Sequence, residues 1–178
     1  LQVYFLDNEE FFRRKFIFED GSGKLFDDNQ DRMVFFCKGV LETVKKFGWA
    51  PDVIHCHGWM TSLVPFYLKS VYKNEPIFAN SKVIYSAYNN STEWSFDNRF
   101  FDKASINQLE PEDLKLFSNG DESINLHKGA IESADAIVKG SEELDEKIDG
   151  AITSQSEKPV LDFQDEDSYL AAYVDFYK

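Results

Sequence analysis

Hydrophobic positions along this chain fall into two rhythms. Short apolar or β-branched runs mark residues 2–6, 53–57, 82–87 and 136–138 as strands. Between them apolar residues recur three and four apart. Met33, Phe36, Val40, Val44 and Phe47 form one face of a helix over 31–47, closed by Gly48. Leu63, Phe66, Tyr67 and Val71 form another over 61–72, and residues 124–133 a third. Ser141 is placed to cap a helix running to about Ile148, with Glu142 and Glu143 in its first turn. Residues 167–177 close the chain as an amphipathic helix carrying Tyr169, Tyr173 and Phe176.

The intervals are less regular. Residues 11–26 suit a hairpin-like excursion turning at Asp20-Gly21-Ser22-Gly23. Segment 88–123 has no sustained period except at Pro111–Phe117, a short helix with proline in its first turn. A connection of that length is usually functional or mobile.

Strands alternating with helices predict an α/β domain around a mostly parallel sheet. One domain is expected over residues 1–178, with no internal repeat. The chain opens directly in a strand pattern and without methionine, as a piece of something longer would.

The 53–57 run ends abruptly in His55-Cys56-His57, then Gly58-Trp59-Met60. A buried parallel strand reads this way when it delivers polar side chains to its carboxyl end, where open α/β sheets bind ligands. Alternation puts both histidines on one face and Cys56 on the other. One histidine is expected as a hydrogen-bonded core residue and His57 as the one facing a cleft. A metal site is not expected, because no second ligand pair stands at zinc-like spacing.

The net charge of −13 argues against nucleic acid and against an anionic membrane surface. Two cysteines exclude a disulfide scaffold and fit a reducing compartment, hence the cytoplasm. No stretch approaches the roughly 18 apolar residues of a membrane span. The 17 Phe, 8 Tyr and 3 Trp must mostly pack internally.

Other chemistry is thin. Gly140-Ser141-Glu142-Glu143 lacks a nucleophile elbow, and there is no G-x-G-x-x-G or phosphate-binding loop. Helix N-termini after Gly58-Trp59 and after Gly140 are the candidates for phosphate. Trp59 serves either as a staple between helix and sheet or as a cleft wall. Asn125 and Lys128, three apart on one helix face, either hold a ligand oxygen together or are solvated.

With those residues laid out, the chain resembles the N-terminal domain of bacterial glycogen and starch synthases, retaining glucosyltransferases of the GT-B architecture. The likeness runs in order through Tyr4-Phe5-Leu6-Asp7-Asn8, Phe35-Phe36-Cys37-Lys38-Gly39, Pro51 to Trp59, Leu63-Val64-Pro65, Asn125-Leu126-His127-Lys128-Gly129 and Ser133-Ala134-Asp135-Ala136-Ile137-Val138. It also resembles short, single-domain synthase-like proteins of Bacteroidetes bacteria, whose ending residues 158–178 would match.

The resemblance implies a Rossmann-like three-layer parallel sheet, half of a GT-B fold without its first strand or strands. It implies glucosyl transfer from ADP-glucose or UDP-glucose to an α-1,4-glucan, with no cofactor. A C-terminal GT-B half or a second copy would be the partner. The implied substrate-binding residues are His57, Gly58, Trp59, Thr61, Tyr88, Asn89, Asn125 and Lys128. Three positions depart from the family pattern. Its aspartate is Gly58 here, the histidine after tryptophan is Met60, and its active-site histidine is Tyr88. The chain by itself is therefore expected to be inactive, or to be a non-catalytic carbohydrate-binding or regulatory module. Trp59, Tyr88 and Trp94 would be its sugar-facing aromatics.

Overall fold

The computed structural model describes residues 2–89, 96–120 and 123–178. In chain order its elements are α1 (Glu9–Phe12), α2 (Asn29–Phe47), β1 (Val53–His57), α3 (Leu63–Lys69), β2 (Lys82–Ala87), α4 (Arg99–Ala104), α5 (Leu126–Ser133), β3 (Ala136–Lys139), α6 (Glu146–Thr153), β4 (Val160–Leu161) and α7 (Tyr169–Tyr177). Short 3-10 turns lie at Trp59–Thr61, Pro76–Phe78 and Pro111–Phe117.

The four strands are parallel and lie in chain order, β1-β2-β3-β4. Consecutive parallel strands joined by crossovers of one hand place their helices on one face. The packing follows this rule. Cys56, Val83, Tyr85, Ala87 and Ile137 face the core built with α2, α3 and α5. The alternate residues Ile84, Ala136 and Val138 face the other side, where Tyr173, Phe176 and Tyr177 of α7 pack on them. The result is a three-layer α/β/α domain.

Local chemistry explains the clearest boundaries. Gly48 ends α2 in the left-handed conformation (φ 72°), its N–H bonding back to Val44 and Lys45 carbonyls. Asp113 reaches back to the Glu110 N–H and starts the Pro111–Phe117 turn. The 11–26 excursion is hairpin-like, with an antiparallel bridge between Glu19 and Leu25.

Several expectations are corrected. Residues 2–6 form no strand; they run along α2, with Leu6 against Gly39 and Tyr4 on Phe47. A β-prone run needs a ladder partner, and Phe5 stands 87% exposed instead. The helix expected to reach residue 72 ends at Lys69, where Ser70 leaves helical geometry. Ser141 caps nothing; α6 starts at Glu146, with Asp145 accepting from the Lys147 N–H. Segment 88–123 supplies core: Phe96, Phe100, Leu114 and Phe117 are all buried. Within it, Asn90, Ser91 and Trp94 lie outside the described residues. Among the described residues no helix is long and apolar enough to cross a membrane.

Candidate functional site at the strand carboxyl ends

The parallel register sets His57 beside Ser86, and Ala87 beside Lys139, so the chain leaves three neighbouring strands at one edge. The backbone is tied there. The Gly58 N–H donates to the Ser86 carbonyl (3.0 Å) and the Gly140 N–H to the Ala87 carbonyl (2.7 Å). The Asn89 N–H donates to Ser141 Oγ at 2.9 Å. Gly58 has φ 71°, a conformation that favours glycine, and its carbonyl accepts from Thr61 Oγ1 at 2.9 Å.

Tyr88 lies across this edge. A Cβ added to Gly140 would stand 2.5 Å from Tyr88 Cε1, and one on Gly58 would stand 3.8 Å from Cδ2. The Tyr88 hydroxyl meets His57 Nδ1 at 2.8 Å. The His57 ring in turn stacks on His55, centroids 4.0 Å apart. His55 Nδ1 bonds the Tyr177 hydroxyl and its Nε2 the Ser86 hydroxyl, each at 2.7 Å. Both histidines thus lie on one face, as alternation predicts, with His55 half-buried and bonded through both ring nitrogens and His57 the more exposed of the two.

Burial, with the neighbouring His57, lowers His55 to about 4. Burial also lowers His57 and raises Tyr88. All three are neutral at pH 7. The cation on the adjoining strand, Lys139, is held by Asp149 at 2.9 Å. His57 and Tyr88 therefore present neutral donors and acceptors at this edge.

Of the eight sequence-derived residues, the structure brings His57, Gly58, Thr61, Tyr88 and Asn89 together. Trp59 goes inside, 4% exposed, with its ring against Phe18 and Phe96 at 4.8 and 5.9 Å. Its ring is core, packed between two loop phenylalanines. Asn125 caps α5, its Oδ1 accepting from the Lys128 N–H at 2.9 Å. Lys128 Nζ donates to the Ser118 carbonyl at 2.8 Å. Both polar ends thus hold the hairpin before α5, where Ser118 bridges Ile124.

The helix N-termini expected to attract phosphate lie further along the chain, at Leu63 and Glu146. Trp59 begins a 3-10 turn whose Thr61 and Ser62 N–H groups bond Gly58 and Trp59 carbonyls, and no helix starts at Gly140. No group of three or more potential metal ligands occurs among the described residues. Cys37 and Cys56 are free and buried, and burial pushes the Cys56 thiol up to about 12, so neither is a nucleophile.

Sequence reading missed Ser86 and Tyr177, and took Gly140 only as the residue before a helix N-terminus. The glycine directly after a buried strand was the one available signal. The residues that need it arrive from other elements.

The starch synthase catalytic domain family matches residues 1–157. The glycogen synthase of Pelodictyon phaeoclathratiforme is 36% identical over 151 residues, covering 83% of this chain and 30% of that protein.

This chain belongs to the starch synthase catalytic domain family.

The glycogen synthase of Chlorobium limicola is likewise 36% identical, over 144 residues, covering 79% of this chain and 28% of that protein. The chain thus spans under a third of the length of these family members. The solved catalytic domain of starch synthase IV from Arabidopsis thaliana, bound to ADP and acarbose, superposes with a TM-score of 0.62. It shares 20% identity and covers 81% of this chain and 32% of its own. The fold is therefore the Rossmann-like sheet expected from the resemblance. Against the family pattern quoted above, Gly58 and Tyr88 occupy adjacent positions at the strand ends, with Tyr88 seated where a side chain at 140 would intrude.

Proposed function

We propose that this chain, over its 178 residues, is part of the N-terminal, sugar-binding half of a glycogen/starch synthase-like glucosyltransferase. In the cytoplasm it would engage an α-1,4-glucan and, with a partner, ADP-glucose or UDP-glucose. By itself it does not transfer glucose. The observation that carries this reading is the Tyr88 ring, seated on Gly140 with its hydroxyl on His57.

Glucosyl transfer from a diphosphate needs cations or oriented donors on the leaving group. It needs sugar hydroxyls held in place and water kept out. Neutral His57 and Tyr88 meet the second need only in part: they can hydrogen-bond hydroxyls. Neither supplies positive charge, and Lys139 and Lys128 are engaged elsewhere. A second polypeptide, either a C-terminal GT-B half or another copy, would have to bring the charge and the opposite wall.

The neutral, aromatic character of His57 and Tyr88 also favours a second reading, a carbohydrate-binding or regulatory module that has left catalysis. Calorimetric titration with maltoheptaose and, in parallel, with ADP-glucose separates the two. Saturable heat from the glucan alone supports the module, and heat from the nucleotide sugar supports the split enzyme. Glucosyl incorporation by the isolated chain above a boiled control overturns both.

A further inference from the structure

The helix α7 contributes no buried residue, and Leu170 and Val174 on it face solvent. Partly buried Tyr173, Phe176 and Tyr177 pack it on the sheet, and specific bonds add to that packing. Those bonds converge on the histidine pair. The Tyr177 hydroxyl meets His55 Nδ1 at 2.7 Å, and the Tyr173 ring lies 5.5 Å from the His55 ring. Beside them, Lys82 Nζ donates to the Phe176 carbonyl at 2.8 Å and stands over the Phe176 ring. With Nε2 on Ser86, His55 has both ring nitrogens engaged, so its ring plane is set from both sides. His57 then stacks on that fixed ring and points Nδ1 at Tyr88.

We infer that α7 is a positioning strap: Tyr177 fixes His55, and His55 fixes the orientation in which His57 meets Tyr88 at the strand carboxyl ends. Tyr177 and His55 are positioning residues, since they act on the edge through His57. The contact chain stands on geometry alone. Only its effect on sugar binding rests on the function proposed above.

The groups facing His55 are His57 on β1, Ser86 on β2, and Tyr173 and Tyr177 on α7. None of these is a carboxylate, so nothing among them welcomes an imidazolium. Burial and His57 accordingly keep His55 neutral down to about pH 4. Below that, charging His55 beside His57 would loosen the strap.

The test is Tyr177→Phe, which keeps the ring and removes the hydroxyl, with the solvent-facing Leu170→Ala as control. Long-range ¹H–¹⁵N spectra of the three histidines report ring tautomers without any ligand. In Tyr177→Phe the His55 ring nitrogen signals should move, and the His57 ring signals should shift as well, although Tyr177 does not bond His57. Leu170→Ala should change neither. Unmoved His57 signals in Tyr177→Phe would overturn the strap. Should Tyr177→Phe lose α7 altogether, Lys82→Met removes only the bond to the Phe176 carbonyl of α7 and must again move His57. The maltoheptaose affinity of Tyr177→Phe is expected to fall roughly threefold or more. An unchanged affinity with shifted His57 signals leaves the strap standing and counts only against the sugar-site reading.

Discussion

The Tyr88 ring occupies the space that a side chain on Gly140 would need: an added Cβ would sit 2.5 Å from Cε1 and 2.7 Å from Cδ1. The two residues come from the ends of different strands and are joined by parallel pairing, so a substitution at one is a statement about the other.

Gly140→Ala should therefore destabilise the domain by about 1–3 kcal/mol, the usual cost of overpacking. In a Tyr88→Ala background the same change should cost far less. Urea denaturation of the four proteins closes the cycle. Equal costs in both backgrounds would mean that the ring and the glycine are not coupled.

Two helical glycines should respond in opposite directions. In α5, a Cβ on Gly129 would fall inside the buried Phe117 ring, whereas in α6 a Cβ on Gly150 meets nothing within 4 Å. Helix propensity alone favours alanine by about 1 kcal/mol at each. Gly150→Ala should raise stability by roughly that amount. Gly129→Ala should lower it, and thermal melts of the pair decide the matter.

Acidification should weaken the fold before most carboxylates titrate. His127 is 8% exposed, bonded through Nδ1 to the Tyr85 hydroxyl at 2.8 Å, and burial lowers it from 6.5 to about 4. The unfolded chain takes up the proton near pH 6.5 and the folded chain only near 4. Between those values the unfolded state binds more protons, so stability falls as pH falls. The loss from His127 is at most about 3 kcal/mol. Half-buried His55 adds less, because water screens it. Urea midpoints taken between pH 7 and 4.5 should show this slope in the unaltered protein and a flatter one in His127→Asn.

Trp59 should behave as core. Packed between Phe18 and Phe96, its removal in Trp59→Ala should cost about 3–5 kcal/mol. The milder Trp59→Phe should leave glucan affinity unchanged, while Tyr88→Ala alters it. Loss of affinity in a folded Trp59→Phe would put Trp59 back at the cleft.

Legibility followed the range of the interactions. The extents of β1 and β2 and the Gly48 terminus of α2 were readable because each depends on side chains within a few positions. The β4 strand is two residues long and α4 sits in an aperiodic aromatic stretch, so neither carries a pattern. Ser141 looked like a cap because its neighbours are acidic; in the fold its hydroxyl accepts the Asn89 N–H instead. Asn125 and Lys128 looked like ligand holders because both are polar on one turn, and both are used to close the hairpin before it.

The alternation of strand and helix and the face each residue of β1 presents could be read from the chain alone. They follow from backbone periodicity and steric preference, which act locally. Which polar groups meet at the strand ends depends on the tertiary fold. His55 pairs with Ser86 across 31 positions and with Tyr177 across 122. Parallel pairing sets distant strand ends side by side, and α7 must fold back onto the sheet before its hydroxyl reaches a histidine. No local pattern encodes that distance, because a hydrogen bond depends on where two groups arrive and not on how far apart they are written.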